Sequence, residues 1–230
     1  MKKWIVTIVA VALSVGMGRG EVPADSIYQG TQIKIDIASP VIVAAANKWQ
    51  MQNYEAVVSV RLANRFYPTL EAGYAFGTMT RDSISYTDGT DKNSKLGGNY
   101  AGQGGFIRIG CDINPLKKHP ESPHALLIGV RLGTGVQGFS QSYNHSAPFC
   151  RTVKADCWGE LVAGCQVEVA KVKSTAFYMG WMGRFKCLFT RMEKEMADPW
   201  TALETAWYIP GYGKRDNIGW GLNYYLGWRF

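Results

Sequence analysis

Large apolar residues alternate with small or polar residues along the end of the chain, residues 218–230. Because the side chains of a β-strand point alternately to its two faces, this alternation predicts a strand with one apolar and one polar face. The apolar face carries Ile218, Trp220, Leu222, Tyr224, Leu226, Trp228 and Phe230. A soluble β-sandwich also produces such a pattern. The aromatic content of this face favours instead a barrel strand with lipid outside and a polar interior.

The same alternation recurs earlier in the chain and predicts eight strands in all. The predicted strands cover residues 31–44, 52–63, 69–78, 100–113, 124–139, 152–169, 175–189 and 218–230. Each is long enough for a tilted strand to cross a bilayer, which takes ~9–11 residues. Pro40 has no N–H to donate, so a bulge or a local break is expected in the first strand. The predicted fold is all-β, an eight-stranded antiparallel up-and-down transmembrane β-barrel.

The connections between the predicted strands alternate in length. The turns at 64–68 and 170–174 are tight, and the turn at 114–123 is compact and rich in proline. The connections at 78–99, 140–151 and 190–217 are longer and polar, whereas the first connection is short and breaks the alternation. Short turns on one side and long loops on the other are typical of outer-membrane barrels, and an even number of strands places both termini on the periplasmic side.

One candidate helix lies within the last long connection. Asp198 and Pro199 resemble a helix start, with an N-cap residue followed by proline in the first turn. Trp200, Leu203 and Trp207 follow at near-helical spacing. We expect a short helix that packs on the outer rim or lies at the membrane interface.

Charged residues fall mainly on the face opposite the apolar one, and basic and acidic side chains are nearly balanced there. They are Lys34, Asp36, Glu55, Arg61, Glu71, Arg108, Asp112, Arg131, Glu160, Glu168, Arg184, Lys186 and Arg229. Because an unpaired buried charge is costly, we expect an ion-pair network centred on Arg61, Glu71, Arg108, Arg131, Glu160, Glu168 and Arg184. An eight-stranded barrel is just wide enough for side chains to fill, so a plugged interior is predicted. Lys34, Lys186 and Arg229 could instead lie at strand ends in solvent.

Aromatic residues on the outward faces predict two girdles at the membrane interfaces. They are Tyr54, Tyr74, Phe76, Trp181, Trp220, Tyr224 and Trp228. The alternative is the aromatic core of a soluble sandwich.

The N-terminus has the order of a secretory signal peptide: Lys2 and Lys3, an apolar run, and then small residues up to Gly20. The apolar run is shorter than the ~20 residues that a spanning helix needs. We therefore expect a signal peptide at 1–20, an N-terminal segment at 21–30 and an outer-membrane barrel at 31–230. Removal of residues 1–20 lowers the formal charge from +7 to +4, and this mild charge excludes nucleic acid as a partner.

The five cysteines show no CxxC spacing, so no zinc site is expected. If the turn between the sixth and seventh strands is centred on Val172, Cys157 lies opposite Cys187. The two could then form a cross-strand disulfide in an oxidising compartment. Cys150 is a rival partner for Cys157.

Catalytic and metal-binding patterns are weak. Ser140, Ser142, His145 and Asp156 could form an acyl-modifying site near the outer rim, but polar loops often contain such a set by chance. Asp82, Asp88 and Asp91 lack the regular spacing of a calcium loop. We expect no enzyme activity, no cofactor and no metal.

With these features in place, the chain resembles small outer-membrane barrels of the OmpA, OmpX and OmpW kind, through its alternating strands and its final residues 224–230. More narrowly, it resembles an uncharacterised barrel family of unknown function. The resemblance implies outer-membrane lipid and the barrel assembly machinery as partners, with Phe230 as the terminal assembly signal. It gives no surface ligand. The expected function is a structural or surface-interaction role through the external loops. The alternatives are a channel for small solutes or hydrophobic molecules, and a lipid-modifying enzyme.

Overall fold

Eight antiparallel strands form a closed barrel in the computed structural model, which describes residues 27–46, 51–63, 65–86, 94–116, 124–143, 150–189 and 207–230. The wall strands are β1 (Tyr28–Asp36), β2 (Met51–Leu62), β3 (Phe66–Tyr86), β4 (Ser94–Ile113), β5 (Ala125–Tyr143), β6 (Cys150–Val172), β7 (Thr175–Leu188) and β10 (Ile218–Arg229). Neighbours in chain order pair, and β10 closes the barrel on β1. The predicted eight-stranded, up-and-down fold is therefore confirmed.

Two further elements accompany the wall. The strands β8 (Tyr208–Ile209) and β9 (Gly213–Lys214) pair with each other only, and the helix α1 (Ala38–Ala46) follows β1. In the part of the chain that the structure describes, no helix has the length and the apolar character needed to cross a membrane. The predicted signal peptide at 1–20 lies outside the described residues, and the barrel begins at Tyr28 instead of residue 31.

The predicted assignment of residues to the two faces of the strands is confirmed. On β3, Leu70 is 48% exposed whereas its neighbour Glu71 is 1% exposed. The same alternation holds on β10, where Leu222 is exposed and Asn223 is buried. Side chains that water would normally hydrate therefore point to the centre of the barrel, and large apolar side chains point away from it.

The two rims of the barrel differ. The terminal rim contains the start of β1 and the end of β10, and the short turns between β2 and β3 and between β6 and β7. At the opposite loop rim, β3 and β4 stay paired as far as Tyr86 and Ser94, and β5 and β6 as far as Gln141 and Cys150. Much of the predicted loops at 78–99 and 140–151 is therefore strand. Those loops were predicted because the sequence there is polar on both faces, which removes the period-two signal but does not prevent backbone pairing.

The first strand is shorter than the sequence pattern predicts. β1 ends at Asp36 and α1 replaces the predicted strand residues up to 44. The Asp36 carboxylate accepts hydrogen bonds from the backbone N–H groups of Ala38 (3.0 Å) and Ser39 (3.2 Å), as an N-cap does. Pro40 follows in the first turn, where proline is tolerated because its missing N–H would have no partner there.

Asp36 also links the start of α1 to β10, the strand that closes the barrel on β1. Its carboxylate accepts a hydrogen bond from the backbone N–H of Tyr224 at 3.2 Å and another from the Asn223 side chain. We expect Asp36→Ala to lower the free energy of unfolding by about 1–2 kcal/mol, the upper range for loss of an N-cap. Urea unfolding followed by tryptophan fluorescence measures this. Asp36→Asn, which can still cap, is the control, and equal stability of wild type and Asp36→Ala would contradict the assignment.

The predicted Cys157–Cys187 disulfide is wrong. Cys187 pairs with Gly159 in the β6–β7 ladder, because the turn pairs Val172 with Thr175 and the register then shifts between Glu168 and Ala170. Cys157 and Cys187 are both exposed free thiols, and the Cys157 thiol contacts the Thr134 hydroxyl at 3.4 Å. The side chain of the rival partner, Cys150, lies outside the described part of the structure.

Thiol alkylation tests this correction. Without reductant, Cys157 and Cys187 are both expected to react with a maleimide in the folded protein, because both side chains are exposed. Peptide mass spectrometry reads out the labelling, and the same sample reduced beforehand serves as control. A peptide pair joined through these two cysteines would contradict the register.

Candidate functional site

A layer of buried ion pairs crosses the middle of the barrel. This charge layer consists of Glu55, Glu71, Arg108, Asp112, Arg131, Glu160 and Arg184, all buried. Arg108 contacts three carboxylates, those of Glu55 (2.8 Å), Glu71 (2.9 Å) and Glu160 (2.9 Å). Arg184 contacts the same three, at 3.1, 2.9 and 2.7 Å. Two guanidinium groups thus share three carboxylates contributed by different strands of the wall.

Arg131 extends the charge layer toward the terminal rim. Its guanidinium donates to Glu71 at 2.8 Å and holds both oxygens of Asp112, at 2.7 and 2.8 Å. Glu71 therefore contacts three arginines, whereas Glu55 and Glu160 contact two each among the ion pairs of the described residues. Its removal would leave three buried guanidinium groups with fewer carboxylates between them, and such an excess of buried positive charge is costly.

Two predicted members of the network lie elsewhere. Glu168 is partly exposed; it pairs with Arg229 at 3.6 Å and accepts a hydrogen bond from the Tyr178 hydroxyl at 2.9 Å. Arg61 is buried near Tyr67. The solvent-exposed alternative is wrong for Lys34 and Lys186, which are 7% and 6% exposed.

Residues 207–217, the inner hairpin, enter the barrel from the loop rim and contact the charge layer. The Lys186 ammonium donates to the carbonyl oxygens of Gly211 (2.7 Å) and Tyr212 (2.9 Å), and the Arg108 guanidinium also donates to Gly211. The hairpin adds its apolar side chains to a buried cluster of Phe106, Trp158, Leu188, Ile209 and Tyr212. The final part of the predicted 190–217 loop is therefore an element of the interior.

The part of the inner hairpin nearest the loop rim packs against the extended strands there. Trp207 stacks on Tyr100 with ring centroids 6.0 Å apart, and the Tyr100 hydroxyl donates to Gln137 at 3.0 Å. Arg215 holds both carboxylate oxygens of Asp156, at 2.8 and 3.1 Å. Trp207, predicted on a rim helix, is instead buried inside the barrel, and the rest of that candidate helix lies outside the described residues.

Burial also sets the ionisation of the hairpin tyrosines. Loss of water raises the pKa of Tyr208, and it raises the pKa of Tyr212 to about 12. Both hydroxyls therefore stay protonated up to a higher pH than an exposed tyrosine would. The Tyr212 hydroxyl donates to the Asp216 carbonyl oxygen at 2.6 Å, which closes the hairpin turn on itself.

A second apolar cluster fills the barrel on the terminal side of the charge layer. It contains Val57, Tyr67, Ala125, Leu127, Val162, Met182 and Tyr225. The Tyr225 hydroxyl joins the two regions, because it donates to Glu55 at 2.8 Å and accepts from Arg184. In the described part of the barrel, this cluster, the charge layer and the inner hairpin thus follow one another along the interior.

The inner hairpin was not predicted, although the sequence contains one signal for its turn. Residues 207–212 run Trp-Tyr-Ile-Pro-Gly-Tyr, and a Pro-Gly pair between aromatic residues is a turn signal. Gly133 lies against Trp158 of the same interior, whose ring would be 2.4 Å from a Cβ at that position.

The predicted girdle residues lie on the outward face but not all near strand ends. Trp220 is near the loop-rim end of β10 and Trp228 near its terminal-rim end, where they contact Phe185 and Phe177. Tyr54, Tyr74 and Phe76 cluster at the loop-rim side of β2 and β3, with Phe76 within 6.2 Å of both tyrosine rings. Trp181 and Tyr224 pair with each other at mid-strand, so the prediction of two girdles is wrong for these two.

The candidate catalytic set is not brought together among the described residues. Asp156 faces inward in its ion pair with Arg215, whereas Ser140 lies on the outward face and contacts the Ala101 carbonyl oxygen at 3.4 Å. His145 lies outside the described residues. Within the described ranges, no group of three or more His, Cys, Asp and Glu side chains could hold a metal ion.

Fold and interior together define a class of protein: a closed eight-stranded antiparallel β-barrel with its charges inside and its large apolar side chains outside. Residues 1–229 match the family described as a domain of unknown function (DUF6048), and the chain belongs to that family. A comparison with the curated proteins gives no match.

Proposed function

We propose that this protein is an exported, membrane-spanning barrel of the outer-membrane type, closed to solutes, that acts through the strands projecting beyond its loop rim. The observation that carries the proposal is the inverted distribution of side chains. Arg108 and Glu71 are buried at the centre, while Leu161 and Leu222 are more than half exposed on the outside. In water this arrangement would expose apolar surface and bury charge, whereas in lipid it is the favourable one.

The height of the outward apolar surface supports the same proposal. On β10, Trp220 and Trp228 are eight residues apart. At ~3.4 Å per residue and a tilt of ~40°, they are separated by about 21 Å along the barrel axis, close to the ~25 Å apolar band of outer-membrane barrels. Beyond Phe76 on β3, the outward residues Thr78 and Thr80 are polar, which favours water at that level.

The filled interior favours a structural or surface-interaction role over a channel. The charge layer, the apolar cluster beneath it and the inner hairpin above it each obstruct the path of a solute. The extended parts of β3, β4, β5 and β6 project on the loop side, and we propose that they form the surface that meets a partner. Phe230, whose backbone pairs with Thr31, remains the proposed signal for the assembly machinery.

Fractionation and conductance measurements test this proposal. We expect the full chain, expressed with its own N-terminus in a Gram-negative host, to sediment with the outer membrane and to resist extraction by carbonate. In planar bilayers the purified protein is expected to give no stepwise conductance. Recovery in the soluble fraction would contradict the membrane assignment, and regular current steps would favour the alternative of a channel. Turnover of a membrane lipid by the purified protein would favour the alternative of an enzyme.

A further inference from the structure

Four hydrogen-bond donors from four neighbouring strands lie in the barrel interior beside the terminal rim. Gln32 on β1 pairs with Arg229 on β10, and Arg61 on β2 and Tyr67 on β3 flank the short turn that joins those two strands. Gln32, Arg61 and Tyr67 are at most 3% exposed, whereas the Arg229 side chain is 18% exposed. These four residues form a donor cluster that reaches solvent at the rim.

The two arginines of the donor cluster face the same part of the interior. Arg61 and Arg229 both act electrostatically on the Tyr67 hydroxyl. The Arg229 guanidinium lies over the Tyr178 ring, 5.2 Å from its centroid, and its ion pair with Glu168 is long at 3.6 Å. Because a guanidinium carries five N–H donors, this single long contact leaves Arg229 able to bind a further acceptor.

The other two donors of the cluster lack an acceptor. The Tyr67 hydroxyl and the Gln32 side-chain NH₂ group are buried and make no hydrogen bond to any atom of the chain that the structure describes. The Gln32 side-chain oxygen accepts from the Ser59 hydroxyl at 3.4 Å. Asp112 also acts on Tyr67, but both of its carboxylate oxygens contact Arg131. Since buried donors are normally paired, this arrangement points to an acceptor that comes from outside the chain.

We propose that the donor cluster binds a small oxyanion, the phosphate or carboxylate group of a molecule that enters at the terminal rim. Guanidinium groups match phosphate and carboxylate oxygens in charge and in geometry, and Tyr67 and Gln32 would donate to the same group. A buried water would also pair with Tyr67 and Gln32, but it brings no charge that matches Arg61 and Arg229. The inference goes beyond the proposed function, because it concerns the interior and not the outward face.

Urea unfolding of the full-length protein in dodecyl maltoside, a detergent without phosphate or carboxylate, tests the proposal. Unfolding is compared in sodium phosphate, sodium acetate and sodium chloride at equal pH and ionic strength. We expect phosphate, acetate or both to lower the unfolding equilibrium constant about tenfold relative to chloride, as a ligand does at about ten times its Kd. A response to phosphate alone identifies a phosphate group as the ligand, and a response to acetate alone identifies a carboxylate.

The variant Tyr67→Phe removes the hydroxyl and keeps the ring. In chloride it is expected to be at least as stable as the wild type, because a buried hydroxyl without a partner is removed. Its affinity for the oxyanion is expected to fall about tenfold, since one hydrogen bond to a charged group is lost. Gln32→Leu is expected to behave in the same way, and it provides the test if Tyr67→Phe does not fold.

Tyr212→Phe is the matched control, because the Tyr212 hydroxyl is bonded to Asp216 in the inner hairpin, toward the loop rim. It is expected to lose stability in all three salts and to keep the oxyanion response. Equal unfolding of the wild type in the three salts, as a buried water would give, would overturn the inference. A full response in Tyr67→Phe, or a loss of its stability in chloride, would overturn it as well. None of these results bears on the proposed membrane function.

Discussion

Replacement of Glu71 by leucine is expected to lower the free energy of unfolding by about 3–5 kcal/mol, the usual cost of removing one partner from a buried ion pair. Glu71 contacts Arg108, Arg131 and Arg184 at 2.8–2.9 Å, and its side chain is 1% exposed. Leucine has nearly the same size but accepts no hydrogen bond. Three guanidinium groups would then compete for the remaining carboxylates in a space that water reaches poorly.

The heat-dependent shift of the folded barrel on an SDS gel and urea unfolding in detergent both measure this effect. Glu168→Leu is the matched control, because Glu168 also faces inward but is partly exposed and pairs with Arg229 only at 3.6 Å. For this control the loss is expected to be about 1 kcal/mol or less. If the two variants lost the same stability, the charge layer would not be the principal ionic contribution to the fold.

Replacement of Gly211 by valine is expected to drive the inner hairpin out of the barrel. Gly211 has a φ of +77°, and a Cβ there would lie 2.5 Å from the ring of Phe106. Its carbonyl oxygen also accepts from the buried Lys186 and Arg108. Backbone strain and the clash together are expected to cost about 3 kcal/mol.

Trypsin cleavage after Arg215 reports the position of the hairpin, because Arg215 is buried and paired with Asp156 in the wild type. We expect rapid cleavage in Gly211→Val and slow cleavage in the wild type. Gly213→Ala is the control: Gly213 has a φ of +114° but open space around its Cβ, so it introduces strain without the clash. Wild-type resistance of Gly211→Val to trypsin would contradict the assigned contacts.

Conductance of the Gly211→Val variant distinguishes a barrel closed by several layers from a channel that the inner hairpin alone closes. The charge layer and the apolar cluster below it remain when the hairpin leaves, so Gly211→Val is still expected to give no current steps. Stepwise conductance in this variant alone would instead identify the hairpin as the gate of a channel.

The outward and inward faces of the wall could be predicted from the sequence because strand alternation is strict. One position in two, such as Leu70 beside Glu71, carries an apolar side chain on the outward face. The ion-pair layer followed from the same alternation. A narrow barrel brings inward charges from different strands together, as it does for Arg108 and Glu160.

Other features depended on information that periodicity does not contain. The hydrophobic run at 41–43 fits a strand as well as a helix, and the Asp36 cap together with Pro40 favoured the helix. The disulfide prediction failed because the β6–β7 turn pairs Val172 with Thr175 and the ladder shifts register between Glu168 and Ala170, which together make Gly159 the partner of Cys187. The inner hairpin was missed because a connecting segment that folds inward shows no strand-length alternation.

The quenching of single tryptophans by brominated lipid tests the central claim most directly, namely that the charged face is internal and the apolar face meets lipid. One variant would retain only Trp181, which is 49% exposed, and another only Trp158, which is fully buried inside the barrel. In vesicles of brominated phosphatidylcholine, Trp181 fluorescence is expected to be strongly quenched and Trp158 fluorescence nearly unchanged. Equal quenching of the two, or an unquenched Trp181 in a protein that remains in solution, would contradict the account.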